Sequence, residues 1–267
     1  MQPLLNIAVR AARRAGEVIV RSLVRLESLD VTTKGRNDFV TEVDRAAERV
    51  IIEEIRRLHP GHAFLAEESG ASGSNETVWI IDPLDGTTNF LHGFPVFAVS
   101  IACEVRGRLE HAVVWDPMRQ ELFTASRGGG AHLENRRMRV SGLRGLDGAL
   151  IATGFPFRDD SPDVDAYLAM FRAVMLRTAG IRRPGAAALD LAYVAAGRVD
   201  GFWEMGLKPW DTAAGALLVQ EAGGRIGRVG GGEYQHQHGD VVAANPRVYE
   251  ALLALLEPHI PAELRSV

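Results

Sequence analysis

The chain has 267 residues, 46% of them hydrophobic and 24% charged, enough apolar material for a large core in one big domain or two small ones. A net charge of −4 argues against a protein built around a polyanion's backbone, and the single cysteine, Cys103, excludes an intramolecular disulfide and a thiolate zinc site. No apolar run approaches the roughly 20 residues that span a bilayer, so no membrane partner is expected and the expected location is the cytoplasm.

From Leu4 to Leu23 apolar residues recur at helical spacing, with arginines between them, which predicts an amphipathic opening helix. A second helix is predicted over Thr41–Leu58, with Val43, Ala47, Val50, Ile51, Ile55 and Leu58 inward and His59-Pro60-Gly61 as its stop. Short apolar or alternating runs follow at Ala63–Leu65, Val78–Ile81, Val96–Cys103, Arg108–Trp115 and Glu121–Ala125, separated by turn signals, and read as a largely antiparallel sheet. Beyond about residue 147 strand and helix alternate. A strand is expected at Leu150–Thr153, a helix from Ser161-Pro162-Asp163 to Gly180, and further helices over Ala186–Ala196 and Thr212–Ala222 and after Asn245-Pro246. We therefore expect a β-rich part over residues 1–146 and an α/β part over 147–267, sharing layers in an α+β fold. Gly227–Gly239 reads as a solvated loop, although His236 and His238 alternate within it as a metal-binding pair does.

Carboxylates stand where elements stop: Glu67-Glu68 after Phe64-Leu65, Asp82 and Asp85 after Ile80-Ile81, and Asp211 before the Thr212 helix. Unpaired charges at the edge of a core cost several kcal/mol, on the order of the desolvation of each ion, unless a cation neutralises them. Five carboxylates at one place would raise one another's pKa unless divalent ions held them ionised, and oxygen-only donors favour Mg²⁺ over zinc. Taken singly, each also has a plain structural reading: Asp211 as a helix cap, Asp82 as the start of an Asp-Pro turn, Glu67-Glu68 as a solvated pair. The Gly86-Thr87-Thr88 stretch beside them supplies backbone N–H groups and hydroxyls suited to phosphate. Together they are the apparatus of metal-assisted phosphoester hydrolysis.

Asp82-Pro-Leu-Asp-Gly-Thr-Thr-Asn-Phe-Leu-His-Gly-Phe-Pro and Trp210-Asp-Thr-Ala-Ala-Gly-Ala-Leu-Leu-Val-Gln-Glu-Ala-Gly-Gly resemble the two signature motifs of the inositol monophosphatase family. Glu67-Glu68-Ser-Gly and Asp38-Phe-Val-Thr-Glu-Val-Asp44 resemble its other two blocks, in the same order, so the resemblance covers nearly the whole chain. The segment Ala186–Glu204 is most similar to the proteobacterial branch.

The resemblance implies a layered α-β-α-β-α sandwich of the sugar-phosphatase type, a homodimer, lithium sensitivity, and Mg²⁺-dependent hydrolysis of inositol monophosphate by an activated water without a phosphoenzyme. It implies that Glu67, Asp82 and the Leu84 carbonyl bind a first Mg²⁺ and that Asp82, Asp85 and Asp211 bind a second, with a third, weaker ion near Glu67. Asp44 and Thr87 would orient and deprotonate the water, with Glu68 supporting them. Gly86 and Thr87 would hold the phosphate, while Asp85, Gly185, Ala187, Glu204 and Asp211 would line the alcohol side. Thr41-Glu-Val-Asp44 is also a capping box, so a helix-start role for Asp44 stays open. Relatives place Ser or Thr where this chain has Ala186, which removes a hydroxyl from the expected polyol wall. Lys34 matches a basic loop that approaches the site in relatives.

Two other functions stand beside inositol monophosphate hydrolysis. One is a related phosphatase of broader specificity, acting on fructose bisphosphate, 3′-phosphoadenosine nucleotides, NADP or histidinol phosphate. The other, implied by the proteobacterial resemblance, is a binding role in transcription antitermination and ribosome assembly, with the transcription factor NusA and ribosomal RNA as partners. Arg10, Arg14, Arg21 and Arg25 lie near one helix face and Arg182-Arg183 are adjacent, although a solvated face is the commoner fate of such charges.

Overall fold

The computed structural model describes residues 2–29, 31–35, 38–156 and 164–265; the Ser161-Pro162-Asp163 helix start and the side chain of Lys34 lie outside the described part. The chain begins with α1 (Pro3–Ser22), a 3₁₀ turn, the β1 (Val31–Gly35) and β2 (Asp38–Thr41) hairpin, and α2 (Glu42–Leu58). Next come β3 (Ala63–Ala66), β4 (Gly70–Ser72), β5 (Thr77–Asp85), the short α3 (Thr87–Leu91), β6 (Ala98–Val105), β7 (Arg108–Asp116), β8 (Glu121–Ser126), β9 (Gly130–Leu133) and β10 (Arg136–Arg137). The remainder is β11 (Leu150–Thr153), α4 (Val164–Met175), β12 (Gly180–Arg182), α5 (Ala187–Ala195), β13 (Gly201–Glu204), α6 (Pro209–Glu221), β14 (Arg225–Gly227), β15 (Val241–Ala244) and α7 (Pro246–Leu256).

An eight-stranded sheet in the order β10-β9-β8-β7-β6-β5-β3-β4 is antiparallel except where β3 runs parallel to β5. A five-stranded sheet in the order β12-β11-β13-β15-β14 pairs β11 in parallel with both β12 and β13. Period-two alternation gives each sheet two apolar faces, and three layers of helices cover them. Phe64, Trp79, Ile81, Val99, Ile101 and Val113 pack against α1 and α2 through Ala11, Ala15, Ile19, Ile51 and Ile55. The opposite residues, among them Ile80, Ala102, Val114 and Phe123, share a core with α5, α6 and one face of the second sheet. The other face of that sheet, with Ile151, Trp203 and Val242, packs on α4 and α7. The result is the expected α-β-α-β-α sandwich, with one core running between the two sheets.

Small residues set the closest approaches. A Cβ on Gly16 would lie 2.4 Å from the Trp115 indole nitrogen, so α1 sits on β7 only because that position is bare.

Several elements depart from the sequence reading. The strand at Val78–Ile81 does not stop there: β5 runs on through Asp82 and Asp85, pairing them with Ser100 and Ala98 on β6. A shift of register between the two aspartates accommodates Pro83, which lacks the N–H that a regular ladder needs. Gly180 opens β12 instead of closing a helix, because α4 has already ended at Met175. Leu58, expected inside, is 44% exposed, while Glu48 and Glu54 on the same helix are buried. Glu54 is admitted by Arg10, Arg14 and Arg57, which reach it at 3.2, 2.6 and 3.2 Å. Helix α6 starts at Pro209, so Asp211 lies in its first turn and is not the cap. His236 contacts Glu104 and His238 contacts Gln235, so the two do not converge as a metal pair. Cys103 is fully buried, and burial, with Glu110 and Glu104 nearby, pushes its thiol up to about 12; it is an inert core residue.

A carboxylate cluster beside a Gly-Thr-Thr turn

The parallel register of β3 and β5 explains how Glu67 reaches the aspartates. Ala66 pairs with Ile81, so Glu67, directly after β3, draws level with Asp82, and its N–H donates to the Ile81 carbonyl at 3.1 Å. The next N–H, that of Glu68, donates to Glu48 Oε2 of α2 at 2.8 Å, which fixes the turn from below. Asp82 follows Ile80 on the sheet face that packs against α6, the helix that carries Asp211. Its cross-strand partner Ser100 donates from its hydroxyl to the Trp210 carbonyl at 3.3 Å, tying the first turn of α6 to the sheet.

Asp82, Asp85 and Asp211 are buried, and one oxygen of each accepts a backbone N–H. Leu84 N–H reaches Asp82 Oδ1 at 3.0 Å, Ala188 N–H reaches Asp85 Oδ2 at 2.8 Å, and Lys208 N–H reaches Asp211 Oδ2 at 2.7 Å. Burial, then repulsion from Glu67, Asp85 and Asp211, then a hydrogen bond shared with Glu67, hold the Asp82 carboxyl well above the ordinary carboxylate range. Asp85 is raised in the same way by burial and by Asp211, and the Ala188 N–H opposes the shift.

Among the described residues no three His, Cys, Asp or Glu side chains already stand at the spacing of a closed metal shell. The fit to a hard cation lies in the donor chemistry. Four carboxylates from β3, β5 and α6 oppose one another's ionisation, and each is pinned from behind by the backbone or by its neighbour. A divalent ion reverses that repulsion, and an all-oxygen donor set suits Mg²⁺.

Asp44, fully buried at the start of α2, joins two structures. Its Oδ2 accepts the Thr41 N–H at 2.8 Å and the Thr41 hydroxyl at 2.5 Å, completing the capping box. Its Oδ1 accepts from Thr87 Oγ1 at 2.8 Å, a hydroxyl that also lies 3.0 Å from the Leu84 carbonyl. Desolvation raises the Asp44 carboxyl above its usual value, against hydrogen bonds from Thr41 and Thr87 that lower it. The capping box and the contact to Thr87 therefore coexist on opposite oxygens.

Gly86 has φ +93°, which a side chain would strain, and a Cβ there would meet the Val96 carbonyl at 2.9 Å. The turn is held by Asn89, a residue whose role the sequence did not disclose. Its Nδ2 donates to the carbonyls of Val96 and Pro184, each at 2.8 Å, and lies 3.3 Å from that of Gly185. This clasp brings Gly185 and the first turn of α5, with Ala187, against the Gly86 turn from about a hundred residues away. Glu204, the last residue of β13, lies within electrostatic reach of Asp85. So does Asp190 on α5, a wholly buried carboxyl with no hydrogen-bond partner among the described residues, raised well above its usual range by burial and then by Glu204 and Asp85, with Arg183 opposing. Glu48 carried no signal in the sequence, because a carboxylate within an amphipathic helix reads as a surface residue until the helix is packed; Asp190, the one charge in the apolar run 186–196, is a signal that the sequence does offer.

A five-layered sandwich whose sheets converge on such a cluster defines the sugar-phosphatase architecture, and the chain belongs to the inositol monophosphatase family, whose model matches residues 1–260. It is 59% identical to the Nus factor SuhB of Pseudomonas aeruginosa over 270 residues, covering 99% of this chain and 100% of the relative. It is 52% identical to the Nus factor SuhB of Escherichia coli strain K12, with 99% and 100% coverage. Among solved structures, the extragenic suppressor protein suhB of Bartonella henselae superposes with a TM-score of 0.93 at 46% identity, covering 97% of this chain and 100% of that one. An inositol monophosphatase from Anabaena gives a TM-score of 0.84 at 38% identity, covering 97% of each chain.

Proposed function

We propose that the chain is a Mg²⁺-dependent phosphomonoesterase acting on inositol monophosphate. The observation that carries this reading is the gathering of Glu67, Asp82, Asp85 and Asp211, with mutually raised carboxyls, beside the Gly86-Thr87 turn. Glu67, Asp82 and the Leu84 carbonyl would hold one ion and Asp82, Asp85 and Asp211 another, with a third near Glu67 as the family pattern implies. When bound, Mg²⁺ supplies Lewis acidity towards water and offsets charge on the leaving oxygen.

The chain's own residues do the rest. Thr87, Thr88 and Asn89 open α3, and their N–H groups precede its first intrahelical bond, from Phe90 N to the Gly86 carbonyl, so donors face the phosphate there. The Thr87 hydroxyl orients the attacking water and passes a proton to Asp44 Oδ1, whose elevated pKa suits a general base. Glu68, tied to Glu48, keeps Glu67 in place. Gly185, Ala187 and Glu204 face the alcohol. The test is release of phosphate from myo-inositol 1-phosphate with Mg²⁺, with an EDTA control; no Mg²⁺-dependent release from this ester or from a panel of related sugar and nucleotide phosphates refutes the reading.

A second reading, a transcription antitermination factor, is favoured by full-length relatives that are named Nus factors. The arginines singled out for it near one helix face are each paired with a glutamate: Arg10 and Arg14 with Glu54 and Arg21 with Glu17 on the first helix, and Arg25, in the 3₁₀ turn that follows, with Glu42. Capture of NusA or ribosomal RNA by wild-type protein and by a catalytically dead Asp82→Asn variant separates the two roles, and failure of both to bind removes the second. Among the described residues no helix is long and apolar enough to cross a membrane. A homodimer fits the exposed apolar side chains of Val164, Leu168 and Met175 along α4, with Leu176 beyond its end. Sizing at a single 29.0 kDa chain would exclude it.

A further inference from the structure

Gly154 directly follows β11, and Glu204 ends the neighbouring β13. The parallel pairing of Thr153 with Trp203 brings the two residues side by side at the same end of the sheet. A Cβ built on Gly154 would fall 1.9 Å from Glu204 Oε1, 2.0 Å from Cδ and 2.2 Å from Oε2. The Glu204 carboxylate is thus seated on the bare Cα of Gly154. Backbone conformation does not impose glycine here, since Gly154 is absent from the positive-φ residues to which Gly86 belongs. Space imposes it. The seat lies in a charged corner: Asp85 and Asp190 are close enough to interact electrostatically with Glu204, and the Arg183 guanidinium, over the Phe155 ring, opposes the charge of Glu204 on Asp190.

We infer that Gly154 is a specificity-determining position: the side chain it lacks sets where the Glu204 carboxylate stands, and so how the alcohol half of the substrate is held, without touching the phosphate chemistry. This rests on the reading of the site as a polyol phosphatase with Glu204 on the alcohol side. The atoms that a Cβ would displace are the far end of a flexible side chain, so Gly154→Ala moves Glu204 to another rotamer instead of disrupting the sheet. The substitution therefore reports on the position of Glu204 in a folded protein.

The experiment measures kcat and KM with Mg²⁺ for wild type, Gly154→Ala, Glu204→Gln and the double variant. The two substrates are myo-inositol 1-phosphate and 4-nitrophenyl phosphate, whose alcohol half carries no hydroxyl to bind. Gly154→Ala is expected to raise KM for the inositol ester by about tenfold, the loss of one hydrogen bond to a charged group, and to leave 4-nitrophenyl phosphate kinetics within about twofold of wild type. The double variant is expected to be no worse than Glu204→Gln alone, because both substitutions remove the same contact. Unchanged inositol kinetics in Gly154→Ala, parallel losses on both esters, or additive losses in the double variant overturn the inference and leave the phosphatase reading intact. Wild-type hydrolysis of 4-nitrophenyl phosphate alone also overturns it. Hydrolysis of neither ester by wild type, nor of the sugar and nucleotide phosphate panel, overturns the phosphatase reading itself, and the role of Gly154 falls with it.

Discussion

Asp44 is the residue for which a helix cap and a catalytic base make opposite predictions, and its geometry allows them to be separated. In Asp44→Asn the amide oxygen can take the place of Oδ2, accepting the Thr41 N–H and hydroxyl now at 2.8 and 2.5 Å. The amide nitrogen then takes the place of Oδ1, 2.8 Å from Thr87 Oγ1. That hydroxyl can accept from it while turning its own proton to the Leu84 carbonyl 3.0 Å away. Every donor and acceptor remains paired, so only the difference between charge-assisted and neutral hydrogen bonds is lost, about 1 kcal/mol, and relief of the buried charge offsets part of it. In Asp44→Ala the capping box is gone, which costs ~0.5–2 kcal/mol, and the buried Thr41 N–H is orphaned at ~1–3 kcal/mol. Both variants lose the base, worth about 10²–10⁴ in turnover. Urea unfolding and kcat at saturating substrate, measured on the same preparations, are expected to show two equally inactive proteins of which only the alanine variant is strongly destabilised. Wild-type turnover in Asp44→Asn would make Asp44 a cap and nothing more.

Asp82→Asn is expected to lower Mg²⁺-dependent turnover by orders of magnitude, since this carboxylate lies between Glu67, Asp85 and Asp211; near-normal activity at saturating Mg²⁺ would sink the metal-site reading. Asn89→Ala removes two 2.8 Å hydrogen bonds and strands the Val96 and Pro184 carbonyls, so the urea midpoint is expected to fall by an amount worth about 2–4 kcal/mol, and a change under about 0.5 kcal/mol refutes the clasp. Glu54 is pushed up by burial but held below its usual value by hydrogen bonds from Arg14 and Arg57 and the charges of Arg57 and Arg10. A lowered carboxyl stabilises the fold above its unfolded pKa near 4.5 and loses that contribution as pH falls through the folded value. The stability advantage of wild type over Glu54→Gln should thus be present at pH 7 and shrink below about pH 4.5; an advantage that stays constant with pH would show that Glu54 acts through packing alone.

Where local pattern decides structure, the sequence was readable. The 3.6-residue spacing of Ala8, Ala12, Ala15 and Ile19 locates α1, and the strand runs from Ala63 to Ala125 mark out the large sheet. It was opaque where a distant element decides. Glu54 is buried only because Arg10 and Arg14 arrive from α1, and Leu58 is left outside on the same helix. The end of β5 was misread for a related reason. Asp82, Pro83 and Asp85 look like breakers, yet β6 supplies Ser100 and Ala98 as partners, and a bulge absorbs the proline. The two aspartates thereby project from a strand inside the sheet, which positions them more rigidly than a turn would.

Ala186 shows the same interplay within the site. The sequence casts it as a gap in the polyol wall, but its side chain is 1% exposed and the residue is the N-cap of α5, with no side-chain cap bond. A Ser or Thr at an N-cap accepts the N–H two or three residues on, and its absence costs ~0.5–2 kcal/mol if that donor goes unmet. Here the donor is met from elsewhere: the Ala188 N–H, two residues after the cap, goes to Asp85 Oδ2 at 2.8 Å. A carboxylate at the end of β5 thus caps a helix that begins about a hundred residues later, at the end where the helix dipole favours an anion. That bond lowers the Asp85 carboxyl against the burial and repulsion that raise it. The Ala188 bond therefore couples Asp85 to α5, and through α5 to the Gly185 loop that Asn89 holds against the Gly86 turn.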